Sequence, residues 1–226
     1  MRCVTKARGC PEVEEFTLCH EYLGCRLARL FGLSAPRAEF VWISPELLEA
    51  NRQELDRDGG QVRPGVAVGV EHQSNLLPFP IPAELHESER TDAARVFAFD
   101  LLVQNADRRA RNPNCGRSGG RIIPYDFESA FGFRFALSAP EAWRVSALGF
   151  AREHLFFAEL KGAQVEWDAV LAPFRAVSWA AVREACGTLP EACAGIGAQV
   201  LAHLQVVEHN WSKFETEVQI ALEIAT

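Results

Sequence analysis

Apolar residues recur at steps of three and four over two long stretches of this chain. Between Glu12 and Phe31, the positions Phe16, Cys19, Leu23, Leu27 and Leu30 fall on one helical face. Gly32 supplies a stop and Pro36 prevents resumption, so a helix over about 12–31 is expected. Near the other end, Val200, Leu204, Val207, Trp211, Phe214, Val218 and Ala221 alternate steps of four and three. Such a stripe packs against the protein's own core or forms a dimer seam, and the core is the expected partner. Three shorter stretches, Arg2 to Ala7, Ala38 to Ile43 and Gly65 to Val70, read as strands. A further helix is expected from a cap at Thr91 or Asp92 to about Gln104, with Asn105 at its finish. Past Pro140, from about Glu141 onward, the pattern predicts helix.

The polar and turn-forming residues divide these elements. Asn51 to Pro64, with Asp58-Gly59-Gly60, reads as an exposed connection. Pro78, Pro80 and Pro82 crowd one short stretch, which excludes regular helix or a central strand there. This stretch is expected to join two lobes, one over residues 1–75 and one over 76–226. After the helix ending near Gln104, the turn-rich run to Phe131 carries Gly119-Gly120, the signal of a hairpin between two short strands. The expected class is α+β, with no internal repeat.

Composition narrows the possibilities. The chain has 226 residues, 48% of them hydrophobic, including 15 Phe and 5 Trp, which excludes global disorder. Lys+Arg 23 against Asp+Glu 30 gives a net charge of −7. An acidic chain is a poor general binder of nucleic acid or anionic membranes, and no direct nucleic-acid partner is expected. No apolar run reaches the roughly 18 residues of a membrane span, and no signal peptide is evident, so a cytoplasmic protein is expected. The 7 Cys show no C-x-x-C spacing and read as scattered buried thiols of a reducing compartment rather than a metal site.

The residues with chemical promise lie in the turn-rich run. Asp107 is followed five residues later by Asn112, and Asp126 stands at the end of the second hairpin strand. Phosphoryl transfer from a magnesium nucleotide needs this set: one carboxylate to take the proton of the attacking hydroxyl, and an amide oxygen plus a second carboxylate for Mg²⁺. Asp-x4-Asn matches the spacing of a kinase catalytic loop, and Asp-Phe-Glu at 126–128 occupies the place of Asp-Phe-Gly. Asp107 and Asn112 equally suit an irregular loop whose backbone amides they satisfy. Arg108 would hold that loop or a phosphate, and with Arg109 and Arg111 it forms a local basic cluster. Upstream, Lys6 on a strand followed by Glu21 on the next helix has the order that positions nucleotide phosphates, with Glu14 and Glu15 as competing partners. Glu71-His72-Gln73 lies where the lobes would join and reads as a plain linker or as backbone facing adenine. His154 reads as a satisfied core histidine, and Asp100 as an anchor for the following loop or a solvent-facing charge.

The runs Glu21-Tyr-Leu-Gly-Cys-Arg-Leu-Ala-Arg-Leu-Phe-Gly-Leu-Ser-Ala-Pro36, Phe99-Asp-Leu-Leu-Val-Gln-Asn-Ala-Asp-Arg-Arg-Ala-Arg-Asn-Pro-Asn114 and Tyr125-Asp-Phe-Glu-Ser-Ala-Phe131 resemble the HipA-like kinases, particularly small bacterial proteins with such a domain. The resemblance implies a protein-kinase-like fold with a reduced N-terminal lobe and a mainly helical C-terminal lobe, binding ATP and Mg²⁺. It implies Asp107 as catalytic base, Asn112 and Asp126 as metal ligands, and Lys6 on phosphate, paired with Glu21. Better-known relatives phosphorylate protein Ser/Thr and act as toxins with an antitoxin partner, so a protein substrate and an antitoxin-like partner are implied. One departure stands out. No G-x-G-x-x-G occurs, and only Met1 precedes Arg2, so the loop that covers the phosphates has no counterpart. The expected alternatives are a start upstream, an open phosphate site, or a silent pseudokinase acting as a regulatory module. Small-molecule phosphotransfer is a further alternative, since antibiotic kinases use a similar loop.

Overall fold

The computed structural model describes residues 2–7, 15–53, 62–80, 83–136 and 140–223. Glu14, the side chain of Glu15 and the Asp58-Gly59-Gly60 connection lie outside them. The molecule is mixed α and β with small antiparallel sheets, the α+β class expected.

The first sheet runs in the order β1 (Cys3–Ala7), β3 (Gly65–Glu71), β2 (Ala38–Ile43), all antiparallel. Its register places Lys6 opposite Val68 and Val68 opposite Phe40, so these three side chains share one face with Val4 and Val70. The other face buries Ala7, Ile43 and Ala67 with Leu48 of a short helix, α2 (Pro45–Ala50). Helix α2 starts with Pro45, and the Ser44 Oγ accepts a hydrogen bond from Leu47 N–H at 3.1 Å.

Helix α1 (Glu15–Leu30) is more central than a single apolar stripe suggests. Cys19, Leu23 and Leu27 are buried as expected, but so are Leu18, Tyr22, Cys25 and Ala28, with His20 and Glu21 among them. The helix packs on β2 and β3 and against the later helices, which is why even His20 and Glu21 are buried. Gly32, at φ +83°, ends it, and the Leu33 N–H closes back on the Ala28 carbonyl at 2.9 Å.

Strand β4 (Leu77–Pro78) pairs with β5 (Cys115–Ser118), and β5 pairs with β6 (Arg121–Pro124) across the expected Gly119-Gly120 turn, where both glycines have positive φ. Helix α3 (Arg90–Val103) corrects the expected start and ends where expected. It follows a 3-10 turn at Glu87–Glu89, and Asp92 is no cap, because its carboxylate accepts from Arg95 and Arg121. At its far end Gln104 takes the left-handed conformation, and the Asn105 N–H bonds the Asp100 carbonyl at 2.8 Å.

The continuous helix expected from Glu141 is replaced by 3-10 turns at Val145–Ala147 and Gly149–Glu153 and a single turn, α4 (Phe157–Leu160). The chain here crosses the 105–114 loop, and the Leu155 N–H bonds the Arg108 carbonyl at 3.0 Å, a pairing helix would forbid. Regular helix resumes with α5 (Trp167–Arg175), α6 (Trp179–Gly187), α7 (Ala194–His209) and α8 (Trp211–Glu223). The closing stripe spans α7 and α8, and Val200, Leu204, Val207, Phe214, Val218 and Ala221 are buried in the chain's own core. That core is one continuous cluster from Leu18 to Leu222.

The cysteine reading also changes. Cys19 of α1 and Cys193, just before α7, form a disulfide, with Cα atoms 6.0 Å apart. Tertiary packing brings together two residues separated by 174 positions, a proximity that no sequence spacing records. Cys25, Cys115 and Cys186 are buried thiols, and Cys3 is exposed.

Gly24 of α1 faces Phe127, and a Cβ added there would lie 2.3 Å from the Phe127 Cβ. Alanine normally favours a helix over glycine by about 1 kcal/mol. The clash reverses the sign, so Gly24→Ala lowers stability by roughly 1–3 kcal/mol. Urea unfolding checks this; a midpoint that rises would show that the α1–Phe127 contact is looser than described.

Candidate active site

Two clusters of polar side chains are joined by a backbone link between Asn114 and Tyr125. The first gathers at Lys6. Its Nζ lies 2.6 Å from Asp126 Oδ1, 3.1 Å from Glu21 Oε2 and 3.1 Å from Glu128 Oε2. Burial opposes the ammonium charge, but Glu21, Asp126 and Glu128 together hold its pKa above the ordinary lysine value. Glu21, 1% exposed, is fixed on both oxygens: Oε2 also accepts the Phe127 N–H at 2.8 Å, and Oε1 accepts from the Cys25 thiol at 3.5 Å. The neighbouring His20 reaches the Glu128 carbonyl with Nδ1 at 2.9 Å, while Arg134 donates to its other ring nitrogen. Burial pushes the His20 imidazole down to about 4, so it is neutral near pH 7. Two successive residues of α1 thus grip two successive residues of the 126–128 segment. Asp126 itself has φ +58°, a conformation that Asp tolerates better than most side chains.

The second cluster is the loop after α3. Asp107 Oδ2 accepts from the side-chain amides of Asn112 at 2.7 Å and Asn114 at 3.1 Å. Reciprocal backbone bonds between Arg109 and Asn112 close the turn that brings Asn112 back to Asp107. Among the described residues no hydrogen bond reaches Asp107 Oδ1, so one oxygen is held and the other is open.

Asp100 and Arg108, both fully buried at the side chain, join the clusters. Asp100 Oδ2 accepts from Arg108 Nε at 2.6 Å and His154 Nε2 at 3.0 Å, and Oδ1 from Asn105 Nδ2 at 3.0 Å. Burial alone would raise the Asp100 pKa, but Arg108 and then His154 hold it below the usual carboxylate range. His154 is driven the other way by burial and stays neutral, a satisfied core histidine whose Nδ1 accepts the Phe156 N–H. Arg108 Nη1 donates to the carbonyls of Asn114 and Tyr125, and its guanidinium lies 5.1 Å from the Phe127 ring centre. Expected to hold either the loop or a phosphate, Arg108 is placed by the structure on the loop: it is 1% exposed and its donors point inward. Arg109 pairs with Glu153 at 2.6 Å.

Beside the Lys6 cluster lies a cleft of about 300 Å³. Val4, Val70, Leu76 and Tyr125 line it, along with Glu71-His72-Gln73, and Lys6, Glu21 and Asp126 form its charged end. The linker segment therefore borders the cleft. Asp107 is linked to the cleft wall through Asn114, whose side chain donates to Asp107 and whose carbonyl accepts the Tyr125 N–H at 3.0 Å.

A family model of HipA-like kinases matches residues 6–139, more than half of the chain. The chain belongs to the HipA-like kinase family. The matched span holds Lys6, Glu21, Asp107, Asn112 and Asp126, and membership implies a kinase-like phosphotransfer function. No curated protein matches the chain. No helix among the described residues is long and apolar enough to cross a membrane. Glu128 and Asn114 lie within the matched span and take part in the two clusters, but are not among the sequence candidates. Glu128 stands two positions past Asp126 and has no signature beyond being charged. Asn114 was detectable only as the second amide within reach of Asp107.

Removing Arg108 leaves Asp100 as an uncompensated buried charge. Arg108→Met is expected to cost about 3–5 kcal/mol of stability, read from chemical denaturation. A loss below about 1 kcal/mol would show that the pair does not organise the loop.

Proposed function

We propose that this chain transfers the terminal phosphoryl group of ATP to a hydroxyl, with a protein Ser or Thr as acceptor. The observation that carries this reading is the meeting of Lys6, Glu21 and Asp126 at the charged end of an otherwise apolar cleft. Residues 1–75 then serve as a reduced nucleotide-binding lobe and 76–226 as a helical lobe with the catalytic loop.

The division of labour follows from polarity. Val4, Val70 and Leu76 offer apolar surface to a base, and the backbone of 71–73 offers it an edge. Lys6 donates to phosphate oxygens while Glu21 keeps its ammonium in place. Asp107 accepts the proton of the attacking hydroxyl at Oδ1, the oxygen its amide partners leave open. Asn112 gives its amide hydrogens to Asp107, which leaves its oxygen for a cation, and Asp126 contributes a second hard oxygen. Two protein oxygens suit Mg²⁺, which takes its remaining ligands from phosphates and water. When bound, that ion neutralises charge on the phosphate oxygens.

Mg-ATP at about 100 times its dissociation constant adds roughly 2.7 kcal/mol. The thermal midpoint should rise by about 5–10 °C for a chain of this length. Asp126→Ala should abolish the magnesium-dependent part of that shift. The absence of any shift at millimolar nucleotide would overturn the nucleotide reading and point to a silent module.

Asp107→Ala should retain the shift but lower phosphoryl transfer from labelled ATP by about 10²- to 10⁴-fold. Transfer at the unaltered rate would remove Asp107 from the base role.

A further inference from the structure

A lysine ammonium has three N–H donors and no more. In this molecule Glu21, Asp126 and Glu128 each accept one of them, at 3.1, 2.6 and 3.1 Å. A phosphate oxygen can bond Lys6 only when one of the three carboxylates lets go. Glu21 is the least able to leave: it is 1% exposed and is also held by the Phe127 N–H and the Cys25 thiol. Asp126 and Glu128 are the more exposed pair, with 30% and 26% of their side chains accessible. Asp126 has a second task in the proposed reaction, as a cation ligand. Glu128 has none, and His20 pins its backbone, so the fold keeps its carboxylate within reach of Lys6.

We propose that Glu128 is a built-in competitor for the nucleotide phosphate, a carboxylate that occupies the third donor of Lys6 and sets the affinity of the site. This deepens the nucleotide reading above and rests on it. A phosphate that takes the donor held by Glu128 displaces that carboxylate, which then stands as a surplus negative charge close to it. The opposite assignment, Glu128 as an additional cation ligand, predicts the opposite sign on substitution, because Mg-ATP would then bind less tightly without it.

The test combines two measurements on Glu128→Gln in the full chain. The first needs no nucleotide. The chain has only three lysines, Lys6, Lys161 and Lys213, so acylation of each amine near pH 9 can be followed by peptide mass spectrometry. Losing one of three carboxylates frees the Lys6 amine, and its labelling should accelerate at least threefold, with Lys161 and Lys213 unchanged as internal controls. An unaltered Lys6 rate would overturn the competitor role outright. The second measurement is calorimetric binding of ATP with magnesium and of ATP in EDTA. Removing a like charge at the phosphate end should tighten both by about tenfold. That gain should vanish in a Lys6→Ala background, because the competition runs through Lys6. Unchanged affinity overturns the inference, and weaker Mg-ATP binding replaces it with the cation-ligand role. If neither protein binds nucleotide while the labelling responds, the proposed function fails and takes this inference with it, a result the labelling separates from a failure of the Lys6–Glu128 contact.

Discussion

The buried pair of Asp100 and Arg108 is the constraint on which the candidate site depends. Two charges in the interior are tolerable only when every donor and acceptor is met. Here the demands of that pair fix the chain around it. Asp100 requires the side chain of Asn105 and the ring of His154; Arg108 requires the carbonyls of Asn114 and Tyr125. Satisfying them places the start and end of the 105–114 loop, the exit of β6 and the 3-10 segment near residue 154 in one arrangement. Asp107 lies next to Arg108 and inherits its position, and Asp126 lies next to Tyr125 and inherits its own. The pair need not be worth much net stability to do this. Its value is in the cost of every alternative loop conformation that would leave a charge unpaired.

Helix α1 imposes the same logic from the other side. His20 and Glu21 are adjacent, and so are the two groups they hold, the Glu128 carbonyl and the Phe127 N–H. Gly24, one turn further on, lets Phe127 approach the helix axis. Segment 126–128 is thereby clamped between α1 and the buried arginine, with the Phe127 ring beneath the guanidinium. A left-handed residue at Asp126 is tolerable because both of its neighbours are held by partners outside the segment.

Much of this was legible along the chain, and what was not has a physical reason. Strand β2 was readable to the residue, because β-branched and aromatic side chains crowd Ala38–Ile43. The Gly119-Gly120 hairpin and the Gly32 stop follow from conformations that other residues reach only with strain. The family-bearing loop was readable because Asp107 and Asn112 are neighbours in sequence as well as in space. Glu128 was silent since its partner Lys6 is 122 positions away, and a lone glutamate looks the same whether it faces water or an ammonium. The Cys19–Cys193 link was hidden for the same reason at 174 positions. Residues 141–156 misled because their 3-10 turns pack on α8 and their end bonds the 105–114 loop through Leu155, tertiary contacts that outweigh local helix propensity.

The distribution of rigidity in the site carries a chemical argument. Groups that the proposed reaction needs already aimed are immobilised by the protein: Asp107 by two amides on one oxygen, Glu21 by a backbone N–H and a thiol, Arg108 by full burial. Such preorganisation avoids reorganisation at the moment of charge transfer. Groups that exchange partners in the proposed reaction are the partly exposed ones, Lys6, Asp126 and Glu128, with Glu21 as the buried partner that keeps Lys6 in place. Lysine suits the central place in that exchange better than arginine would. Its charge is compact and its four-carbon stem flexible, so in the proposed reaction it would pass from carboxylate to phosphate without breaking a bidentate geometry. The arrangement therefore places charge balance in the more exposed side chains and direction in the buried ones.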